Sequence, residues 1–267
     1  MNALKAVIFD WAGTLIDHGC LAPALAFTTV FERLGVPISA AEARIPMGLP
    51  KWEHILAVGK MPRVSSDWAK RYGHAFAEAD ADRVFAVFEP ENIRIIKDHS
   101  APIAGVANVL SALKERGLRM GSTTGYTRAI MEVVIPLAAG KGVAPEQVVC
   151  AGETQEGRPS PLMLWKNLVE LGVWPADAAV KVDDTPVGIR EGRNAGCWTI
   201  AVTETGNAMG LSEDELNALS ADERTRRRQL IADELLEAGA HMTIPSVREL
   251  MPALDLIEAA RAQGRKP

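Results

Sequence analysis

Asp10, Lys51, Thr124, Arg158 and the pair Asp183-Asp184 are the residues of this sequence whose types and settings could do polar chemistry. Asp10 ends a short apolar run and precedes Trp11-Ala12-Gly13-Thr14. Gly13 permits a sharp turn there, and the backbone amides of such a turn can cradle an anion beside the carboxylate. Thr124-Gly125 offers a hydroxyl and a flexible backbone where a strand passes into a helix, a place where free N–H groups and the helix dipole bind phosphate. Arg158 stands just before Pro159-Ser160-Pro161, which reads as a Pro-initiated helix. Asp183-Asp184 supplies two carboxylates at a strand end, suited to a hard cation such as Mg²⁺. Each has a plainer reading as well: Asp10, Thr124 and the acidic pair as caps of the turns that follow, Arg158 as a surface cation.

These residues share one kind of position. Ala6–Phe9, 118–123, Val148–Cys150, 179–182 and Trp198–Val202 are short, β-rich apolar runs, and helix-like stretches at 104–116, 127–140, 159–172 and 186–195 separate them. Alternation of that kind predicts an α/β fold with a Rossmann-like parallel sheet and helices on both faces. In such sheets ligands bind at the carboxyl ends of the strands, where Asp10, Thr124 and Asp184 fall. Residues 19–99 break the alternation with helices expected at 22–34, 51–59, 66–79 and 83–97, and with turn signals at 35–37, 47–50 and Glu89-Pro90. This predicts an inserted all-helical cap domain at 19–99, the core being 1–18 and 100–267. The tail from Ser212 reads as helical apart from a short run at 242–244.

Composition sets the class but not the chemistry. The chain has 267 residues, 48% hydrophobic and 24% charged, with a net charge of −5, as in ordinary soluble globular proteins. That charge gives no global attraction for nucleic acid or anionic lipid, so neither a nucleic-acid nor a membrane partner is expected. Three cysteines without CxxC spacing indicate neither a disulfide framework nor a zinc site, and a cytoplasmic location is expected. The basic cluster 224–228, flanked by acids, reads as a solvated helix face.

Taken in order, strand-Asp with Gly-Thr, then Thr-Gly, then Arg-Pro, then a strand-end acidic pair, the sequence resembles the haloacid dehalogenase-like hydrolase superfamily. The resemblance implies a Rossmann-like sheet with a cap and chemistry through an aspartyl intermediate. Asp10 would then be the nucleophile, Thr124 with Gly125 and Arg158 would hold the phosphoryl group, and Asp10, Asp184 and the backbone of Ala12 would bind Mg²⁺. Ala12 is a departure, because phosphatases of the superfamily carry a second aspartate there to protonate the leaving group. General acid catalysis is typically worth about 10²–10⁴-fold, so the leaving group here needs no proton from that position or is activated otherwise. A second departure is Gly188, where a further aspartate often stands; Asp183 is a candidate substitute.

Lys51 in Met47-Gly48-Leu49-Pro50-Lys51-Trp52-Glu53-His54 offers that other activation. A free lysine, with pKa about 10.4, is only on the order of 0.1% neutral near pH 7.4. It attacks a carbonyl only if desolvated or placed near other cations; left in solvent it is an ordinary surface lysine. The stretches 10–14, 47–54, 121–128, 157–159, 191–198, 206–212 and 239–241 resemble the phosphonoacetaldehyde hydrolase family. That resemblance implies a Schiff base between Lys51 and a small phosphonate aldehyde, with Cys20, Met47, His54 and Tyr126 near the reacting groups, and a homodimer joined through the cap. Packing is the alternative for Cys20 and Met47. Other haloacid dehalogenase-like hydrolases, a 2-haloacid dehalogenase or a phosphomonoesterase, are the competing reading. A non-catalytic phosphoacceptor module is a third; it would be about half this length and lack the helical block.

Overall fold

The computed structural model describes residues 4–267, so residues 1–3 of the expected 1–18 segment lie outside the described residues. In chain order the elements are β1 (Ala6–Phe9), α1 (Leu21–Arg33), α2 (Ala40–Arg44), α3 (Lys51–Gly59), α4 (Pro62–Tyr72), α5 (Glu78–His99), α6 (Val106–Glu115), β2 (Arg119–Thr127), α7 (Arg128–Ala139), β3 (Gln147–Ala151), α8 (Leu162–Glu170), β4 (Ala179–Asp183), α9 (Pro186–Asn194), β5 (Trp198–Val202), α10 (Glu213–Ala218), α11 (Ala221–Glu237), β6 (Met242–Ile244) and α12 (Leu250–Ala262). The strands form one parallel sheet in the order β3-β2-β1-β4-β5-β6. The short run at 242–244 is thus the sixth, edge strand.

Side chains alternate across this sheet, as period two requires. Val7, Phe9, Val180, Val182 and Ile200 join a large apolar cluster that runs on through α6, α7 and α12 into the helices between β1 and β2. Ala6, Ile8 and Ala179 face the other way, onto Leu164 and Leu168 of α8 and onto Cys197. Because helices cover both faces, β1 and β4 are buried throughout and read as nearly unbroken apolar runs.

Several boundaries differ from the sequence expectation, each for a local reason. Pro62 opens α4 at its first turn, and Gly73, in the left-handed region, closes it, so the expected helix at 66–79 becomes 62–72. Pro90 lies inside α5 and does not end it. Val84, Phe88, Ile95 and Ile96 are buried on both sides of it, and that packing outweighs an interior proline cost of about 3 kcal/mol. β2 continues to Thr127 through a bulge between Thr124 and Thr127, so Thr127, not Thr124, caps α7 by accepting from Ile130 N. α8 begins at Leu162, which leaves Arg158 and Pro159 in a loop.

The segment 47–50 presses onto three loops of the sheet. A Cβ on Gly48 would stand 2.6 Å from Thr185 Oγ1, one on Gly125 2.6 Å from the Leu49 carbonyl, and one on Gly157 2.3 Å from Pro50 Cγ. Absence of side chains therefore lets the start of α3 settle over the carboxyl ends of β1 and β2. Arg44 adds a polar tie, donating to the Gly19 carbonyl at 2.8 Å and to Asn207 Oδ1 at 3.1 Å. Among the described residues no helix is long and apolar enough to cross a membrane. Gly125→Ala should cost on the order of 1–3 kcal/mol through overpacking against backbone, read as a lower urea midpoint with unchanged far-UV circular dichroism.

Candidate active site

β1 lies between β2 and β4, where the direction of winding changes. Phe9 is in register with Ser122 and Val182, so the next residues, Asp10, Thr123 and Asp183, meet at the carboxyl ends, and Asp10 N donates to Val182 O at 2.9 Å. Such a reversal opens the crevice in which α/β sheets bind ligands. Trp11 Nε1 donates to Ser122 Oγ at 2.9 Å and pins the loop after β1. Gly13, with φ +88°, brings that loop so close to Asp184 that a Cβ would lie 2.6 Å from Oδ2.

A tight cavity of about 20 Å³ lies over these ends, lined by Asp10, Ala12, Cys20, Met47, Lys51, Thr124, Gly125, Tyr126 and Arg158, together with Pro23, Gly48 and Thr185. That is room for about one water molecule. Lys51 is buried, its Nζ 3.9 Å from Met47 Sδ and 5.1 Å from the Tyr126 ring centre. The buried Tyr126 hydroxyl has no protein partner and is free to donate to a ligand. Thr124 Oγ1 accepts from Tyr126 N at 3.1 Å, inside the bulge and not at a helix start. His54 lies outside the cavity wall: it stacks on Phe27 at 3.9 Å, and its Nε2 donates to Ala43 O at 2.8 Å. Since a carbonyl can only accept, the other nitrogen, Nδ1, is the bare one.

Burial dominates the electrostatics. It pulls the Lys51 ammonium down to about 8, Arg158 acting in the same direction and Asp10 against. Burial also drives the Cys20 thiol well above its ordinary range and His54 well below its own, so both are neutral near Lys51 at neutral pH. Burial and the neighbouring Asp183 raise Asp10 to about 6, although Arg158 Nη1 donates to its Oδ1 at 2.8 Å. Asp184 is pushed up by burial, Asp10 and Asp183, even though Thr14 Oγ1 and Asn207 N donate to it at 3.0 and 2.7 Å. Asp183 goes the other way: Lys181 and Arg158 outweigh its burial and hold it down.

Oxygens of Asp10, Asp183 and Asp184 all lie within 4.8 Å of one another. With Glu191 they make four buried carboxylates against the two cations Arg158 and Lys181, which ion-pair with Asp10, Asp183 and Glu191. Oxygen donors in excess negative charge fit a hard divalent cation, which takes one or two carboxylates and completes its shell with water. Asp10, Asp183 and Asp184 are the carboxylates close enough together to share one. Gly188 is explained by Asp183: a Cβ at 188 would fall 1.9–2.3 Å from both carboxylate oxygens. Asp183 thus fills the volume of the missing side chain.

Lys181, Glu191, Thr123, Thr14 and Asn207 also serve this cluster but do not stand out as site residues in the sequence. A usable signal exists for one of them: Lys181 interrupts an otherwise apolar, buried strand. The basic cluster 224–228 is paired within the chain, its arginines reaching Glu204 and Glu223.

Comparison with known proteins places this geometry in context. The family model for haloacid dehalogenase-like hydrolase matches residues 4–196. A phosphonoacetaldehyde hydrolase of Paraburkholderia phytofirmans is 51% identical over 267 residues, covering all of both chains. One from Bacillus cereus is 41% identical over 255 residues, 96% of this chain and 97% of its own. The crystal structure of a phosphonoacetaldehyde hydrolase-like protein from Oleispira antarctica superposes with a TM-score of 0.98 at 39% identity, covering 99% of this chain and 96% of that one.

Gly188→Asp should destabilise the fold on the order of 1–3 kcal/mol by overpacking. Adding Asp183→Gly in the same chain should recover most of that loss. A double-mutant cycle of denaturant midpoints measures the coupling; additive losses would mean that the two positions do not share one volume.

Proposed function

Because the chain belongs to the phosphonoacetaldehyde hydrolases of the haloacid dehalogenase-like hydrolase family, we propose that it hydrolyses the carbon–phosphorus bond of phosphonoacetaldehyde to acetaldehyde and phosphate. The observation that carries this reading is a desolvated lysine, Lys51, lining one small cavity with Asp10 and Arg158 while position 12 is alanine.

Lys51 acts first. With its pKa near 8, roughly a fifth of the amine is neutral at pH 7.4, against on the order of 0.1% for a free lysine. The neutral amine adds to the aldehyde and water leaves, giving a protonated imine. His54, neutral with a bare Nδ1, is the proposed proton relay behind it, and Cys20, Met47 and Tyr126 shape the pocket around the aldehyde carbon. Asp10 then attacks phosphorus, and the C–P electrons pass into the imine to form an enamine. No acid at position 12 is needed, because the leaving group is not an alkoxide. Arg158, Thr124 and the Gly125 backbone neutralise and orient the phosphoryl oxygens, whose spread charge is the main load in phosphoryl transfer. Water hydrolyses the aspartyl phosphate; the enamine takes a proton on carbon, and a second water releases acetaldehyde and Lys51. Mg²⁺, held by Asp10, Asp184 and the backbone of Ala12, would supply charge neutralisation at the transferring group.

Residues 19–99 would serve as the cap that closes this pocket, and as the face through which a homodimer forms. A cytoplasmic role in 2-aminoethylphosphonate degradation completes the proposal. A phosphomonoesterase is disfavoured by Ala12, and a 2-haloacid dehalogenase needs no imine-forming lysine.

Phosphonoacetaldehyde should yield equimolar phosphate and acetaldehyde, and EDTA should abolish release; halide release from 2-haloacids that survives EDTA would support the dehalogenase instead. Borohydride with substrate should trap an adduct on Lys51, found by mass spectrometry, and Lys51→Arg should lose both adduct and turnover. The trapping rate should climb with pH up to about 8 and level off above it, since only the deprotonated amine attacks.

A further inference from the structure

Lys181 and Glu191 are fully buried and neither lines the catalytic cavity. Lys181 points from β4 toward the face covered by α8 and α9, and Glu191 comes from α9. Lys181 Nζ lies 3.2 Å from Glu191 Oε2 and 3.1 Å from Asp183 Oδ2, and donates to Thr123 Oγ1 at 2.7 Å. Glu191 Oε2 in turn stands 3.0 Å from Arg158 Nε and accepts from Thr123 Oγ1 at 2.8 Å. The other edges of the same guanidinium are taken too: Nη1 donates to Asp10 Oδ1 at 2.8 Å, and Nη2 to Thr123 Oγ1 at 2.8 Å and to the Thr123 carbonyl.

Stability alone does not account for such a network. A buried ion pair is often no more stable than an apolar pair of the same volume, and apolar Ala6, Ile8, Ala179 and Leu164 pack on the same face of the sheet. What the pair accomplishes is orientation. Glu191 is the counter-charge beside Nε, which makes no hydrogen bond of its own, and the directional link runs through Thr123, whose Oγ1 donates to Glu191 and accepts from Nη2 while Nη1 donates to Asp10. A preorganised donor of this kind stabilises a transition state without reorganising during the reaction. We propose that Glu191, held in place by Lys181, is a positioning residue for Arg158, setting the guanidinium against the phosphoryl group at Asp10. The proposal rests on the phosphonoacetaldehyde hydrolase reading for its substrate, but not for the geometry it invokes.

Glu191→Gln keeps size and an acceptor oxygen but removes the charge. Its phosphate release from phosphonoacetaldehyde should fall about ten- to a hundred-fold, somewhat below the cost of deleting a transition-state donor outright. At saturating phosphonoacetaldehyde, borohydride trapping at Lys51 should keep its wild-type rate, because the variant leaves in place Arg158, whose charge helps lower the Lys51 pKa. Affinity for inorganic phosphate, measured calorimetrically with Mg²⁺ present, should weaken about ten-fold. The double variant Lys181→Met with Glu191→Gln removes one charge of each sign, guards against misfolding of the single variant, and should show the same pattern. Unchanged release and phosphate affinity in either variant would overturn the proposal, as would a proportional fall in trapping, the mark of general damage. If wild-type enzyme trapped no adduct while Glu191→Gln still weakened phosphate binding, the Lys51 reading would fall and the positioning role would stand.

Discussion

Three carboxylates, Asp10, Asp183 and Asp184, crowd to within 4.8 Å at the ends of two adjacent strands, in a place closed to water. At that distance two like charges repel by roughly 3–4 kcal/mol even at an effective dielectric of 20, and the repulsion grows as water leaves. Much of the surrounding structure answers that constraint. Arg158 and Lys181 are drawn in as counter-charges, while Thr14 Oγ1 and Asn207 N donate to Asp184. The balance left over is the one a divalent cation would meet. Gly13 and Gly188 are glycines because carboxylates occupy the space where their Cβ atoms would be.

The helical insertion answers a second demand, that a lysine lose its water without losing its reach. Gly48, Gly125 and Gly157 let the chain around Pro50 settle on the sheet loops, and Lys51, opening α3, is carried down with it. Burial then lowers its pKa to about 8. Neutral Cys20 and the Met47 thioether surround the amine without adding formal charge. The same packing that joins insertion and sheet into one apolar cluster thus sets the proton affinity of one nitrogen.

Local patterns were enough for the sheet and for the acids at its strand ends. Runs such as Ala6–Phe9 are apolar because both faces of a parallel strand are covered, and the acids that follow two of the runs, Asp10 and Asp183, stand at the strand ends where such sheets bind ligands. The helical block between β1 and β2 was visible in its sequence pattern, whereas Ala12 and Lys51 drew their meaning from the family resemblance, since Lys51 by itself reads as a surface lysine. Helix ends were less legible: Pro90 looked like a stop, yet its cost is local while the packing of Phe88 and Ile95 that overrides it is not.

What adjacency in sequence could not convey is which way neighbouring side chains point and how dry their surroundings are. Asp183 and Asp184 are consecutive, but one turns to Lys181 and Arg158 and the other to Thr14 and Asn207. Thr124 reads as a helix cap and lies instead in a bulge of β2. Residue type and order thus determined the parallel sheet and the strand-end acids, since these depend on local pattern and side-chain chemistry. The charges of Lys51, Asp10 and Asp183, and the grip of Lys181 and Glu191 on Arg158, were decided only when distant segments closed over them, because electrostatic energies depend on distance and dielectric, and neither exists before the chain is folded.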